Sequence, residues 1–306
     1  MGISSGKGPK VAVLMGGHSL EREVSLISGR ACSAALRGKD FEVLELDAGH
    51  DVVQRLSELR PDVVFNALHG RWGEDGSIQG VLEWLRIPYT HSGVMASALA
   101  MDKHRSKHIF SDFGLPTAQG FIIDKTNLIN AHPLQSPYVV KPINEGSSIG
   151  VYFVNPAEDP PLDLSSDMPS ILMVEEYIPG RELTVTVMGK KALLVTDIIT
   201  QKWYDYDAKY KNGGSVHEVP AKIPEKIKEK CLEYALSAHE LIGCRGISRA
   251  DFRWDESLGL DGLILLEINT QPGMTPTSLV PEQAEICGIK FGDLCQWLVE
   301  DASCDR

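Results

Sequence analysis

Val11-Ala12-Val13-Leu14-Met15 is an unbroken apolar run that ends on Gly16-Gly17. A run of this kind reads as a strand covered on both faces, and the glycines read as the tight turn after it. The next segment carries Val24, Ile27, Ala31 and Ala34 at helical spacing. Glu21 and Glu23 fall in its first turn, where acids favour the helix dipole. Asp62-Val63-Val64-Phe65-Asn66-Ala67-Leu68 is a second strand candidate closed by glycines. Strand and helix therefore alternate over residues 10–95, which predicts a small doubly wound α/β domain on a parallel sheet.

The remainder changes character. A helical pattern runs from about Ser97 to Gly114 and breaks at Leu115-Pro116-Thr117. Pro137 to Pro142 reads as a short strand entering a Gly/Ser loop, and Ile171 to Glu176 as another. Between them, Asn155 to Ser170 holds four prolines and reads as a surface connection. Leu183 to Met188 and Ala192 to Thr200 form an antiparallel hairpin around Gly189-Lys190. Trp203 to Pro220 is polar, aromatic and glycine-containing, the composition of a functional loop. Ile227, Cys231, Tyr234, Ala238 and Leu241 give a helix closed by Gly243. Residues 1–9 lack the apolar core of a signal peptide and read as a flexible leader or cloning remnant.

Charge and composition exclude several functions. Among 306 residues, 42 acids face 30 bases, for a net charge of −12. A general nucleic-acid binder needs basic surface to replace counterions, so none is expected as a partner. No apolar run approaches the ~20 residues of a membrane span, so no membrane partner is expected either. The six cysteines form no C-x-x-C pair and suit a reducing cytoplasm. Gly6-Lys7 has neither the spacing nor the preceding strand of a P-loop.

The chemistry concentrates in a few places. Leu263-Ile264-Leu265-Leu266 reads as a buried strand leading to Glu267 and Asn269, which alternation puts on one face. Ile247 to Phe252 reads as a strand that can present Asp251 beside them. Two carboxylates and a carboxamide suit Mg²⁺, a hard ion that also takes phosphate oxygens and water; a strand end with ordinary polar residues would look similar. Glu145-Gly146-Ser147-Ser148-Ile149-Gly150 follows the strand bearing Lys141, and its amides can wrap phosphate oxygens. His69 to Gly76 ends a strand where open α/β sheets bind ligands, although a glycine-rich turn with one satisfied histidine fits the same residues. The carboxylates of Glu175, Glu176 and Glu182 around Tyr177 can hold an adenine amino group or ribose hydroxyls, or simply mark a charged strand end. Lys209 can meet a phosphate and Tyr210 can wall a pocket; a solvated loop with packed tyrosines is the competing reading. The Gly273 amide and Arg249 can stabilise an oxyanion, and Ser278-Leu279 can present donors to a substrate carboxylate.

Six ordered blocks together resemble the D-alanine–D-alanine ligases of the ATP-grasp superfamily. They are Met15-Gly-Gly-His-Ser-Leu-Glu-Arg-Glu-Val-Ser25, Ala67-Leu-His-Gly-Arg-Trp-Gly-Glu-Asp-Gly76 and Ser92-Gly-Val-Met-Ala-Ser-Ala-Leu-Ala-Met-Asp-Lys103. The others are Val140-Lys-Pro-Ile-Asn-Glu-Gly-Ser-Ser-Ile-Gly150, Tyr204-Asp-Tyr-Asp-Ala-Lys-Tyr210 and Glu267-Ile-Asn-Thr-Gln-Pro-Gly-Met-Thr-Pro-Thr-Ser-Leu-Val-Pro281. The resemblance implies an N-terminal doubly wound domain (10–95), then an ATP-grasp fold, α+β in character, of a central (96–180) and a C-terminal (181–306) part clamping ATP. It implies that one D-alanine carboxylate takes the γ-phosphate of ATP and that a second D-alanine's amine displaces phosphate from the acyl phosphate.

By matching motif, the resemblance implies that Glu21 holds the first ammonium, with His69 near its carboxylate. Lys103, Lys141 and Lys209 meet phosphates, and Glu175, Glu176, Tyr177 and Glu182 lie at base and ribose. Asp251, Glu267 and Asn269 hold two Mg²⁺ ions, with Mn²⁺ as a substitute. Arg249 and Gly273 serve the oxyanion, and Ser278 and Leu279 receive the second carboxylate. Ser147 and Tyr210 link with Glu21 over the site. Tyr210, where D-lactate-using relatives typically carry phenylalanine, favours the dipeptide product. Glu176 departs from family members that carry lysine near the adenine. A homodimer is a further family expectation. Against these stands a nucleotide-binding module without turnover, which predicts erosion of the metal and phosphate residues, all of which are present here.

Overall fold

The computed structural model describes residues 8–128, 131–147, 149–155, 164, 167–200 and 215–305. The 1–9 leader for the most part, Ser148, most of the Asn155–Ser170 connection, and Lys209 and Tyr210 within the Trp203–Pro220 loop lie outside these residues.

β1 (Lys10–Met15), β2 (Glu42–Asp47) and β3 (Val63–Asn66) form a parallel sheet in the order β2-β1-β3. Helices α1 (Arg22–Arg37) and α2 (Val52–Leu59) are the crossovers, and α3 (Ser77–Leu85) follows β3. The burial of β1 explains its unbroken apolar run. Val11, Val13 and Met15 enter one core with Cys32 and Leu36, whereas Ala12 and Leu14 enter another with Leu56, Ile78 and Leu82. Both faces are covered, as in parallel sheets generally.

The buried face of α1 is not the expected one. Val24 is buried, but Ile27 is 53% exposed and Ala34 is exposed. The inner face is Ser25, Ser28, Gly29, Cys32, Ser33 and Leu36. Small residues are needed there because the helix lies so close to β1 that a Cβ on Gly29 would fall 2.5 Å from Met15 Cβ. Ser25 Oγ donates to the Ala67 carbonyl at 2.7 Å and accepts from Gly16 N–H at 2.9 Å.

The expected helix from Ser97 to Gly114 is two helices, α4 (Val94–Met101) and α5 (Lys103–Asp112). Asp102 between them is extended, and its carboxylate caps α5 by accepting from Arg105 N–H at 3.0 Å. The cap sets Lys103 at the first position of α5.

Two antiparallel sheets follow. β4 (Gly120–Asp124), β5 (Tyr138–Pro142), β6 (Tyr152–Val154) and β7 (Ile171–Glu176) are ordered β4-β7-β5-β6. β8 (Arg181–Met188), β9 (Lys191–Ile199), β10 (Val216–Glu218), β11 (Ile247–Trp254) and β12 (Leu263–Asn269) are ordered β10-β9-β8-β11-β12. The β8–β9 hairpin turns at Gly189, as the sequence implies. Helix α6 (Glu225–Ile242), closed by left-handed Gly243, covers one face of this last sheet. Leu183, Val185, Ala250, Phe252, Leu263, Leu265 and Ile268 point into that core. Alternation sends Glu182, Thr184, Arg249, Asp251, Arg253, Glu267 and Asn269 to the opposite face.

β12 reaches this arrangement through a bulge. Asp251 pairs with Glu267 and Phe252 with Leu265, so Leu266 is the extra residue. The run Leu263 to Leu266 is therefore not wholly buried: Leu266 turns to the open face beside Glu267.

The last two helices are α7 (Leu279–Ile286) and α8 (Phe291–Asp301). α8 packs on α1 and β3, and Leu294, Cys295 and Leu298 share a core with Val13, Cys32 and Phe65. Leu193, Ile247 and Met274 join the same cluster. The hydrophobic core thus runs across the limits at residues 95 and 181. No helix among the described residues is long and apolar enough to cross a membrane.

Candidate active site

Two cavities meet on the open face of the last sheet. The smaller, of about 100 Å³, lies between the two antiparallel sheets; the larger, of about 350 Å³, lies between the last sheet and the carboxyl end of the parallel sheet. Lys103, Gly146 and Glu267 line both. Anything passed between occupants of the two cavities passes these three residues.

The smaller cavity has apolar walls from Val139, Ile149, Val151, Ile178 and Leu266, and polar groups from Lys141, Glu175, Glu176, Tyr177, Glu182, Asp251 and Arg253. A flat heterocycle between apolar walls with polar groups at its edge is the occupant such a lining suits. Arg253 organises the polar edge by donating to Glu182 Oε2 and Tyr177 Oη, both at 3.3 Å, and to the Ile178 carbonyl at 3.2 Å. Tyr177 meets Phe153 edge to face, with centroids 4.8 Å apart.

Glu175, read from sequence as a base or ribose contact, gives its two oxygens to Lys107 and Lys141. All three side chains are buried. Burial alone would raise the Glu175 carboxyl, but the two ammonium groups overcome it and hold it at about 2. Burial lowers Lys107, with Lys141 adding to the effect. Glu176, one residue on, is exposed and accepts from Gln119 N–H at 3.2 Å.

The Mg²⁺ candidates sit on paired strands. Asp251 is directly opposite Glu267, and Arg249 opposite Asn269. Arg249 grips Asp251 with two hydrogen bonds of 2.8 and 2.6 Å, and Thr184 Oγ1 donates to Asp251 at 2.6 Å. Lys103 Nζ lies 3.2 Å from Glu267 Oε2 and donates to the Glu145 carbonyl at 2.6 Å. Asn269 Oδ1 accepts from Gln271 N–H at 2.8 Å. Among the described residues no group of three or more His, Cys, Asp or Glu could hold a metal ion. Two carboxylates and a carboxamide are oxygen donors that fit Mg²⁺ when phosphate oxygens and water complete the shell.

The larger cavity gathers Glu21, His69, Ser147, Arg249, Gly273, Ser278 and Leu279. Ser147, at a φ of +51°, donates its hydroxyl to Glu21 Oε1. His69 Nε2 lies 3.1 Å from Ser28 Oγ; burial first, and then the Arg249 charge, depress the imidazole to about 4, so it is neutral at pH 7. Ser278 holds the N-cap position of α7 but turns its hydroxyl away from the helix, with Oγ 2.7 Å from Thr275 Oγ1 and accepting from Thr275 N–H at 3.1 Å. A side chain on Gly273 would begin 3.0 Å from Ser278 Oγ, so glycine leaves its amide in the cavity wall without crowding that hydroxyl.

Sequence reasoning missed Glu74, although it stands in the same glycine-rich loop as His69. It lines the larger cavity, and its Oε1 accepts from Gly70 N–H at 2.8 Å. Burial, followed by the facing Glu21 carboxylate, raises it to about 8. An unfolded chain ionises this group near 4.5, so between those limits the folded state holds a proton the unfolded state has lost, and stability falls as pH rises. Glu74→Gln keeps the neutral shape. Its melting temperature is expected to vary less than wild type between pH 5 and 8; superimposable profiles would show that Glu74 ionises normally.

Family models match most of the chain. The model for "D-ala D-ala ligase C-terminus" covers residues 109–300, and that for "D-ala D-ala ligase N-terminus" covers 47–92. The chain belongs to the D-alanine–D-alanine ligase family. A D-alanine–D-alanine ligase of Ruegeria pomeroyi is 66% identical over 306 residues, covering 100% of both chains. One from Cereibacter sphaeroides is 65% identical, covering 97% of each. Among solved structures, the D-alanine–D-alanine ligase of Bacillus anthracis complexed with ATP superposes with a TM-score of 0.79 at 28% identity, covering 96% of this chain and 97% of that one. The ATP-grasp arrangement of the ligases is thus the fold described above.

Proposed function

We propose that this chain joins two D-alanines into D-alanyl-D-alanine with ATP, releasing ADP and phosphate, as a cytoplasmic, homodimeric enzyme of peptidoglycan precursor synthesis. The observation that carries the reading is the junction of the two cavities at Lys103, Gly146 and Glu267. A nucleotide in the smaller cavity and an amino acid in the larger one would meet there.

A carboxylate is a poor acyl donor, and taking the γ-phosphate supplies a leaving group; the protein then chiefly positions reactants and neutralises charge. Glu21, kept in place by Ser147, pairs with the first ammonium. Neutral His69 stands near the first carboxylate without adding charge. Lys103 faces the phosphate in flight, while Lys141 and Lys209 serve the other phosphates. Tyr177 and Glu182 line the nucleoside end; Glu175 acts there through the lysines it binds. When the second amine attacks, Arg249 and the Gly273 amide face the developing oxyanion, and Ser278 with Leu279 receives the second carboxylate. Asp251, Glu267 and Asn269 would hold two Mg²⁺ ions, or Mn²⁺ in their place, which supply charge neutralisation at the phosphates. Tyr210 would close over the site with Ser147 and Glu21.

The test is direct. With ATP, Mg²⁺ and D-alanine, phosphate release should accompany a product with the mass of the dipeptide, and L-alanine should give none. A mixed product in the presence of D-lactate would keep the ligase and change the second substrate. Absence of any condensation product would overturn the reading.

A further inference from the structure

The Ser278–Leu279 end of the larger cavity has a wall that none of these roles uses. Glu282 lies in the first turn of α7, and its N–H donates to the Ser278 carbonyl at 3.2 Å. Its Oε2 lies 2.8 Å from His217 Nδ1. His217 is the middle residue of β10 and pairs with Ile198 of β9, and Ile198 packs against Leu279. The imidazole lines the cavity together with Thr277, Ser278 and Leu279, whereas Glu282 does not. Ser215 Oγ stands 3.1 Å from the other ring nitrogen, Nε2.

The arrangement is that of a ring fixed by a carboxylate. Nδ1–H donating to Glu282 sets the ring plane and leaves Nε2, with the Ser215 hydroxyl beside it, as the edge available to a ligand. A carboxylate arriving at Ser278 also arrives at the N-terminus of α7, where Glu282 is the nearby negative charge. The imidazole stands on that charge, and as the imidazolium, ion-paired to Glu282, it presents its second N–H, at Nε2, to the arriving carboxylate.

We propose that His217, oriented by Glu282, is a specificity-determining residue of the second amino-acid subsite, supporting the carboxylate of the incoming substrate alongside Ser278. The proposal rests on the placement of that carboxylate at Ser278–Leu279. It assigns His217 to binding of the second substrate alone, not to ATP, the first substrate or the chemical step.

Dipeptide formation is measured over a wide D-alanine range, resolving the Michaelis constants of the first and second binding events, for wild type, His217→Ala, His217→Asn, Glu282→Gln and Ser278→Ala. Loss of a hydrogen bond to a charged group predicts a second-substrate KM raised about tenfold or more in His217→Ala. The first-substrate KM, the ATP KM and kcat stay near wild type. His217→Asn, which keeps an N–H donor, restores part of the affinity, and Glu282→Gln falls between. If the second KM is unchanged in both His217 variants while Ser278→Ala raises it, the proposal fails and the subsite reading stands. If Ser278→Ala and the His217 variants all leave it unchanged, both fail. Parallel rises in all three Michaelis constants, with lowered melting temperature in every His217 variant, would make the pair a structural clasp and overturn the proposal.

Discussion

Glu267→Gln is expected to eliminate metal-dependent turnover while leaving the fold in place. Among the described residues Glu267 is the one carboxylate that lines both cavities; it stands opposite Asp251 and 3.2 Å from Lys103 Nζ. Glutamine keeps its size and one oxygen but removes its charge. Loss of several kcal/mol of charge stabilisation at a transferring phosphoryl group corresponds to roughly a thousandfold or greater fall in kcat. The strand survives because its core contacts come from Leu263, Leu265 and Ile268. Phosphate release and thermal melting, measured on the same preparation, check both halves. Near-normal turnover would remove Glu267 from the metal set.

Glu175→Gln is expected to produce the largest loss of stability of any single substitution in the central sheet. The carboxylate is shared by Lys107 from α5 and Lys141 from β5, and all three groups are buried. Its removal leaves two ammonium groups without their common counter-charge, at a cost of about 3–5 kcal/mol. The pH signature follows from the sign of the shift. A carboxyl at about 2 in the folded state and 4.5 otherwise contributes stability that is complete above 4.5 and is lost as pH falls towards 2. Urea unfolding of wild type and variant at neutral pH, and of wild type on acidification, reads both effects. Partial restoration of stability by adding Lys107→Met, which leaves only the Lys141 ammonium without its counter-charge, would identify the uncompensated charge as the cause. Equal stability of Glu175→Gln and wild type would exclude the network as a structural element.

The fold was legible wherever one residue pattern answered to one physical demand. The run from Val11 to Met15 announces a strand buried on both faces, and the Gly243 stop announces the end of α6. The face of α1 was not legible, because counting apolar residues cannot find an interface made of Ser25, Ser28 and Gly29 for close approach. The split at Asp102 was hidden by apolar and helix-forming residues on either side of it.

For the site, the motif residues Glu21, His69, Lys103, Lys141, Arg249, Asp251, Glu267, Asn269, Gly273 and Ser278 do line the two joined cavities. What escaped was pairing over distance. Lys107 is 68 residues from Glu175, and Glu282 is 65 from His217. Neither separation carries a local signature. Glu74 escaped for another reason: its loop reads as a turn, and burial together with the facing Glu21 makes its carboxyl unusual only in the folded chain.

The extra residue in β12 has a consequence for how this enzyme can vary. In a regular strand, neighbours look in opposite directions, so an apolar wall residue and a carboxylate facing the same cavity cannot be consecutive. The bulge places Leu266 and Glu267 side by side on the open face while Leu265 and Ile268 remain in the core. Position 266 is thereby released from the demands of the interior. Its side chain can be enlarged, trimmed or made polar to reshape the smaller cavity, with the neighbouring carboxylate and the packing beneath it left as they are.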